Sequence, residues 1–380
     1  MPALCQASTS ASNRDWAAAE PGFYTPCMLV ETLLPLGKVD PGLREPDNPL
    51  DIRTVFDQAK QVEDLGFSGL VVEETKDDPF QILALAAQAT TTLRVGTAVA
   101  IAFPRSPYVT AMSAWSLQRL SNGRHTLGLG TQVRGHMIRR FGMGWSPAGP
   151  WIRDYINAVR SIWHSWQHRE PIGFTSEHYN LDLTVPLFVP APVDHPNIPI
   201  HLAAVKPGLC KVAGEVADGV RPHPVCTADY MRTVMLPAAA AGAETAGRTL
   251  DGFQVAHKPL IATAPDESAL ATRIRDARAR ISFYLSTPAY RPAFAHHGFD
   301  ALAEQAASFS KAQRWEELPD LVTDELLHTY VTIGTWDQIG ARITERFGDV
   351  VTTIEFSIAP RTPEEGEFMS ALIRELGGAG

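Results

Sequence analysis

Residues 69–120 read GLVVEETKDDPFQILALAAQATTTLRVGTAVAIAFPRSPYVTAMSAWSLQRL. Two strand–helix units stand here in tandem. Gly69 to Glu73 is a short apolar run closed by carboxylates, and Pro79 to Ala89 is an Ala- and Leu-rich segment long enough for a helix. Leu93 to Ile101 returns to Val and Ala, and Pro107 to Leu120 sets Tyr108, Met112 and Trp115 at helical spacing. Neither strand runs into a two-residue hairpin turn. A helix follows each one, so the strands pair in parallel through crossover helices and are buried on both faces.

The pattern extends in both directions. Upstream, Cys27 to Leu34 is a first strand, followed by a Pro- and Gly-rich connection from Pro35 to Pro49. Asn48-Pro49 has the form of a helix start, and Ile52, Val55, Phe56, Ala59, Val62 and Leu65 give that helix one apolar face before Gly66. Downstream, His125 to Leu129 is a fourth strand, and Pro150 to Gln167 a helix striped by Ile152, Tyr155, Ile156, Val159, Ile162, Trp163 and Trp166. A Pro-rich insertion from Phe174 to Pro199 separates these from strand Ile200 to Ala204, helix Pro207 to Val216 and strand Asp218 to Arg221. Phe253 to Ala262 is the seventh strand. Helices fill about 266–330, more than one unit needs, which predicts an insertion packed outside the sheet. Thr335 and Gln338 have capping-box spacing ahead of a helix with Trp336, Ile339, Ile343 and Phe347 on one face, and Val350 to Ile358 is the eighth strand.

Eight such strands predict an α/β fold, a closed (β/α)8 barrel with insertions; an open doubly wound sheet calls for a Gly-rich first turn, and none is present. The expected organisation is a flexible N-terminal arm over 1–23 and a single barrel domain over 24–380, without internal repeats.

Composition narrows the partners. A formal net charge of −9 and the lack of a basic stripe argue against nucleic acid. No apolar run is long enough to cross a membrane, and the N-terminus lacks the pattern of a secretory signal. Cys5, Cys27, Cys210 and Cys226 show no C-x-x-C spacing, so neither a disulfide framework nor a metal site is expected, and a reducing cytoplasm is.

In a barrel of this kind the loops after the strands build the site. After the second strand comes Glu73-Glu74-Thr75-Lys76-Asp77-Asp78-Pro79. Asp78 reads equally as a helix cap, whereas Glu74, at the end of a buried strand, needs a partner or its pKa rises. The third strand ends in Ala98, Val99 and Ala100, small enough to let a flat ligand approach, or simply to fit the barrel taper. After the fourth, Gly128-Leu129-Gly130-Thr131-Gln132-Val133-Arg134-Gly135-His136 offers hydroxyl, amide, guanidinium and imidazole groups. Arg134 either pairs with a ligand anion or forms a rim salt bridge to Glu74 or Asp77. After the fifth, Ala203-Ala204-Val205-Lys206-Pro207 opens a helix whose N-terminus suits an anion, with Lys206 adding charge. His223 stands just past the sixth strand, where a lone His is more often structural.

Several of these segments, with Gly66-Phe67-Ser68-Gly69-Leu70-Val71-Val72-Glu73-Glu74-Thr75, Leu93-Arg94-Val95-Gly96-Thr97, Ala102-Phe103-Pro104-Arg105-Ser106-Pro107, Leu120-Ser121-Asn122-Gly123-Arg124, Pro199 to Val205 and Gly214 to Val220, occur in the order found in luciferase-like monooxygenases. The chain resembles that family over roughly Tyr24 to Ile358, and in particular its deazaflavin branch, whose members use coenzyme F420. The resemblance implies a bulge at Ala98-Val99-Ala100, often with a cis peptide, that backs the cofactor ring. It also implies an acidic position beside the ring at Glu74, a ring-edge loop at Thr131 and Gln132, and a phosphate segment at Ala204, Val205 and Lys206.

Two departures stand out: Asp77 where relatives often have His as proton donor, and Lys206 where they have Gly. An aspartate of ordinary pKa is a poor acid at neutral pH, which makes His136 the substitute candidate beside Glu74 and Asp77. The implied activity is hydride transfer between F420 and a small organic substrate. FMN-dependent monooxygenation is the alternative, and a non-catalytic flavin-binding protein is a third. The resemblance further implies a homodimer.

Overall fold

Val-, Leu- and Ile-rich segments, buried along most of their length, form the eight strands of the barrel. They are Leu29–Leu34, Gly69–Val72, Arg94–Thr97, His125–Gly130, Ile200–Ala204, Gly219–Pro222, Gln254–His257 and Thr353–Phe356. The structure is a computed structural model that describes residues 28–36, 49–356 and 360–378. Every strand pairs in parallel with the next, and the first pairs with the eighth, so the predicted (β/α)8 barrel closes. The expected arm over 1–23, the Asn48 cap and the end of the eighth strand lie outside the described residues.

The third strand departs from its predicted span. It breaks after Thr97 and resumes at Ala100–Ile101, paired with Leu129 and Gly130; between the halves the Ala98–Val99 peptide is cis. The seventh strand also stops early. Pro259 follows it without an N–H to continue the ladder, and Leu260–Ala264 leaves the barrel to pair in parallel with Val331–Thr335 in a separate two-stranded sheet. Helices Glu267–Leu285, Arg291–Ala295, Asp300–Lys311 and Asp324–Tyr330 lie in sequence between those two outer strands.

Local sequence explains the helix starts. The Asp78 carboxylate accepts the Phe80 N–H at 2.9 Å and the Ser106 hydroxyl that of Val109 at 3.2 Å, each ahead of a first-turn Pro. Three expectations are corrected. The helix at Val55–Asp64 follows a turn of 3₁₀-helix capped by Asp51, so Ile52 and Phe56 end up exposed. Met112 likewise faces away from Trp115, which is buried in the core. Thr335 caps no N–H, because its hydroxyl donates to Asp337 at 2.5 Å; the capping box stands instead at Thr362 and Glu365.

Candidate active site

The registers decide which side chains face the barrel interior. Glu31 lies opposite both Gly69 and Glu355, and Gly69 opposite Arg94; Gly128 lies opposite His201, and Ala203 opposite Arg221. Strand alternation then turns Glu73, Ala98, Gly130, Val205, His223 and Lys258 toward the mouth at the strands' C-terminal ends.

On one side of the mouth, the third to fifth strands present a wall of small residues. Thr97 grips the fourth strand: its hydroxyl donates to the Gly128 carbonyl at 2.6 Å and accepts the Gly128 N–H at 2.8 Å. A Cβ on Gly128 would lie 2.0 Å from the Thr97 oxygen, and one on Gly130 would lie 2.6 Å from Val99 Cγ2 and 3.8 Å from Ala203 Cβ. These two glycines make room for the bulge. The surface left beside them is the half-buried pair Ala98 and Val99, with Ala203 beyond.

Glu74 ties the bulge to the second strand. Its N–H donates to the Val99 carbonyl at 3.2 Å, and its carboxylate accepts the Ile101 N–H at 2.7 Å. The partner that its position demanded is Arg105, whose Nη1 lies 2.5 Å from the Glu74 carboxylate while Nη2 reaches Asp78 at 3.1 Å. Arg134, for which a rim salt bridge to Glu74 or Asp77 is one of two readings, is exposed at the start of the short helix Arg134–Arg139 and has no ion pair among the described residues. Arg105 stands in the quoted segment Phe103-Pro104-Arg105-Ser106, two residues before a helix and within reach of the second strand's end.

The other predicted residues spread along the same rim. Asp77 is half-buried, and His136 is exposed on the Arg134–Arg139 helix. Thr131 and Gln132 are half-buried directly after the fourth strand; Gln132 adopts φ 55° and its side-chain oxygen accepts the Val133 N–H at 2.9 Å. Arg140 donates to the Thr75 carbonyl at 3.0 Å, which joins this loop to the one after the second strand. Ala204 is buried, Val205 accepts the Tyr230 hydroxyl at 3.0 Å, and Lys206 is exposed at the N-cap of Pro207–Val216. His223 stacks on Tyr290 at 3.8 Å and meets Tyr284 edge-on at 4.8 Å, both from the helical stretch between the outer strands; burial first, then His257 and Lys258, lower its pKa to about 3 and keep the ring neutral.

Trp151 from helix Ala148–His168 stacks on Phe103 at 3.8 Å, packing against the outside of the third-strand region. The insertion after that helix is held by His178, which bonds Asp154 at 2.7 Å and Ser146 at 2.9 Å. Trp145 is half-buried against the core.

The donor set fits a flat ring carrying an anionic tail. Small side chains form the wall, the exposed Lys206, Arg134 and Arg139 supply positive charge with no ion pair among the described residues, and a Cβ at Gly208 would meet nothing within 4 Å, so the backbone of that helix start is open to approach. Gly208 stands two residues past the position where Lys206 replaces the expected glycine.

The family model described as luciferase-like monooxygenase matches residues 35–353. An uncharacterized protein of Mycobacterium tuberculosis is 36% identical over 306 residues, covering 80% of this chain and 90% of that protein. A putative coenzyme F420-dependent oxidoreductase of the same organism is 26% identical over 295 residues, covering 73% of this chain and 82% of that protein. Among solved structures, the coenzyme F420-dependent tetrahydromethanopterin reductase of Methanopyrus kandleri superposes with a TM-score of 0.70 at 21% identity, covering 93% of this chain and 98% of that one.

Proposed function

The chain belongs to the luciferase-like monooxygenase family, and from that membership we propose that it is an oxidoreductase transferring a hydride between coenzyme F420 and a small organic substrate. The observation that carries the reading is the buttressed bulge: Glu74 and Arg105 fix Ala98–Ala100 as a flat, small-residue wall, and Lys206, Arg134 and Arg139 stand exposed beyond it. When bound, the deazaflavin would supply the hydride chemistry itself. The protein's part is to hold the ring against the wall, seat the acidic tail on Lys206 and the Gly208 backbone, and keep water from the reacting face.

Glu74, with its carboxylate taken by Arg105 and the Ile101 N–H, acts as a positioning group. Asp77 and His136 remain the candidates for the acid at the outer rim. The relative named a putative coenzyme F420-dependent oxidoreductase supports this choice of cofactor over FMN, as do the three uncovered cations, which suit a long acidic tail.

Fluorescence titration of the purified chain with F420 and, separately, with FMN tests the reading. Saturable F420 binding that weakens with salt, and that is tighter than FMN binding, is the expected result. Preferential FMN binding would transfer the proposal to an FMN-dependent monooxygenase, and tight binding without turnover over a substrate panel to a non-catalytic flavin-binding protein. The proposed setting is a cytoplasmic homodimer, which light scattering coupled to size exclusion tests.

A further inference from the structure

Opposite the small-residue wall lies a set of charges that the reading above leaves unused. Glu31, Arg221 and Glu355, on the first, sixth and eighth strands, are buried in the barrel interior. Arg221 Nη1 donates to Glu31 at 2.8 Å but lies 3.6 Å from Glu355, too far to bond it. Lys258 Nζ, just past the seventh strand, is 3.7 Å from Glu355 and 3.8 Å from Glu73 at the end of the second. The eighth and first strands separate the seventh from the second, so the Lys258–Glu73 pair spans the barrel mouth. It forms a floor at the same end of the barrel as Ala98 and Gly130.

Glu355 is the unusual member. It is 5% exposed, and its Oε1 has no hydrogen-bond partner. A buried carboxylate oxygen with no hydrogen-bond donor is costly even with cations nearby, and taking up a proton removes the charge. We propose that Glu355 holds a proton in reserve beneath the floor of the site and that Lys258 and Glu73 connect it to the mouth, replacing from within the barrel a proton consumed there.

The use of that proton rests on the hydride-transfer reading. An unsaturated acceptor that takes a hydride, with its electron pair, at one atom needs one proton at the neighbouring heteroatom. The Lys258 ammonium releases it by breaking an N–H bond, and breaking the Glu355 O–H bond restores the ammonium. Glu355 is left as a carboxylate beside Lys258 and Arg221, and water reloads it by way of Glu73; no protein group is oxidised or reduced. The charges facing Glu355 come from four elements. Burial raises its pKa most, Lys258 opposes that, Glu31 adds to it, Arg221 opposes, and Glu73 adds, leaving a value of about 7.

Infrared pH titration of the full chain without any cofactor tests the proposal independently of F420. The expected result is a protonated-carboxyl band that persists far above the ordinary carboxylate range and fades with a midpoint near pH 7. Glu355→Gln should remove that band, whereas Glu73→Gln should keep it. Absence of the band from the unmodified chain, or its survival in Glu355→Gln, would overturn the proposal, and the first of these outcomes needs no variant to fold.

Lys258→Met should raise the midpoint and slow deuterium exchange at the band; if neither changes, Lys258 is not the connection and the route is wrong. Failure of F420 to bind, with the band intact, would defeat the hydride reading alone and leave the buried acid standing.

Discussion

The third to fifth strands line their side of the barrel mouth with Ala98, Gly130 and Ala203, while the first, second, seventh and eighth set Glu31, Glu73, Lys258 and Glu355 in and under the other. The first side works by steric exclusion: Gly128 and Gly130 leave no room for one more carbon, and the bulge takes its shape against them. The second works by charge balance, with carboxylates and cations packed together in and under the mouth. Under the two proposals above, a site between such walls would offer one face to a flat, uncharged ring and another to proton movement.

The steric side should break first and hardest. Gly128→Ala would force a Cβ to within 2.0 Å of a backbone oxygen, and we expect a loss of about 3 kcal/mol or more in denaturant unfolding, with F420 binding abolished. Gly130→Ala, whose clash is with a side-chain methyl, should cost about 1–3 kcal/mol, and the double variant with Val99→Ala should recover part of that loss, a coupling that a double-mutant cycle measures. If the two losses simply add, Gly130 and Val99 are not packed as described.

Arg105→Ala removes the partner of a mostly buried carboxylate. Breaking a fully buried pair costs about 3–5 kcal/mol; with side chains 17% and 13% exposed, we expect roughly 2 kcal/mol, together with weaker F420 binding. Arg105→Lys, which keeps the charge, should retain more of both.

The charged side is probed by pH. A folded pKa of about 7 against an ordinary 4.5 means that the native state binds the extra proton, so the stability contributed by Glu355 is complete below pH 4.5 and is lost as pH rises through 7. The stability of Glu355→Gln minus that of the unmodified chain should therefore climb across this window, by about 3 kcal/mol. Buried His125, His201 and His257, whose pKa values burial first of all lowers to between about 3 and 4, act in the opposite sense, adding stability above pH 6.5 that acid removes; they are common to both proteins and cancel in the difference. A flat difference would mean that Glu355 is an ordinary carboxylate.

The smallest effect is expected at the exposed rim. Lys206→Ala should weaken F420 by about two- to fivefold at low salt, on the order of 0.3–1 kcal/mol, and the difference should shrink as salt is added.

The steric side was readable and the charged side was not, for physical reasons. Runs such as Leu93 to Ile101 and Ile200 to Ala204 carry the periodicity of buried strands, and glycines and alanines at a strand end announce close approach. The Glu74 carboxylate, stranded at the end of an apolar run, announced that it needed a partner, but which arginine answers depends on how two loops fold, and Arg105 rather than Arg134 does. Glu31, Arg221 and Glu355 were visible as charges inside the apolar segments LVETLL, GVRP and TIEF. What local sequence cannot give is their convergence: barrel closure brings together residues from opposite ends of the chain. The outer strand pair was likewise hidden, since Leu260–Ala264 has the composition of a barrel strand and only the proline before it marks the exit.

That exit carries a consequence of its own. Leu260–Ala264 and Val331–Thr335 are hydrogen-bonded neighbours, so the chain departs from and rejoins the scaffold side by side, with the helices in between hung from a two-strand hinge plate. Tyr284 and Tyr290 of that excursion reach His223 beyond the sixth strand. Exchanging the excursion for one of different length or lining would change what packs against His223 while leaving the eight staves untouched, so this cassette can be rebuilt without reopening the barrel.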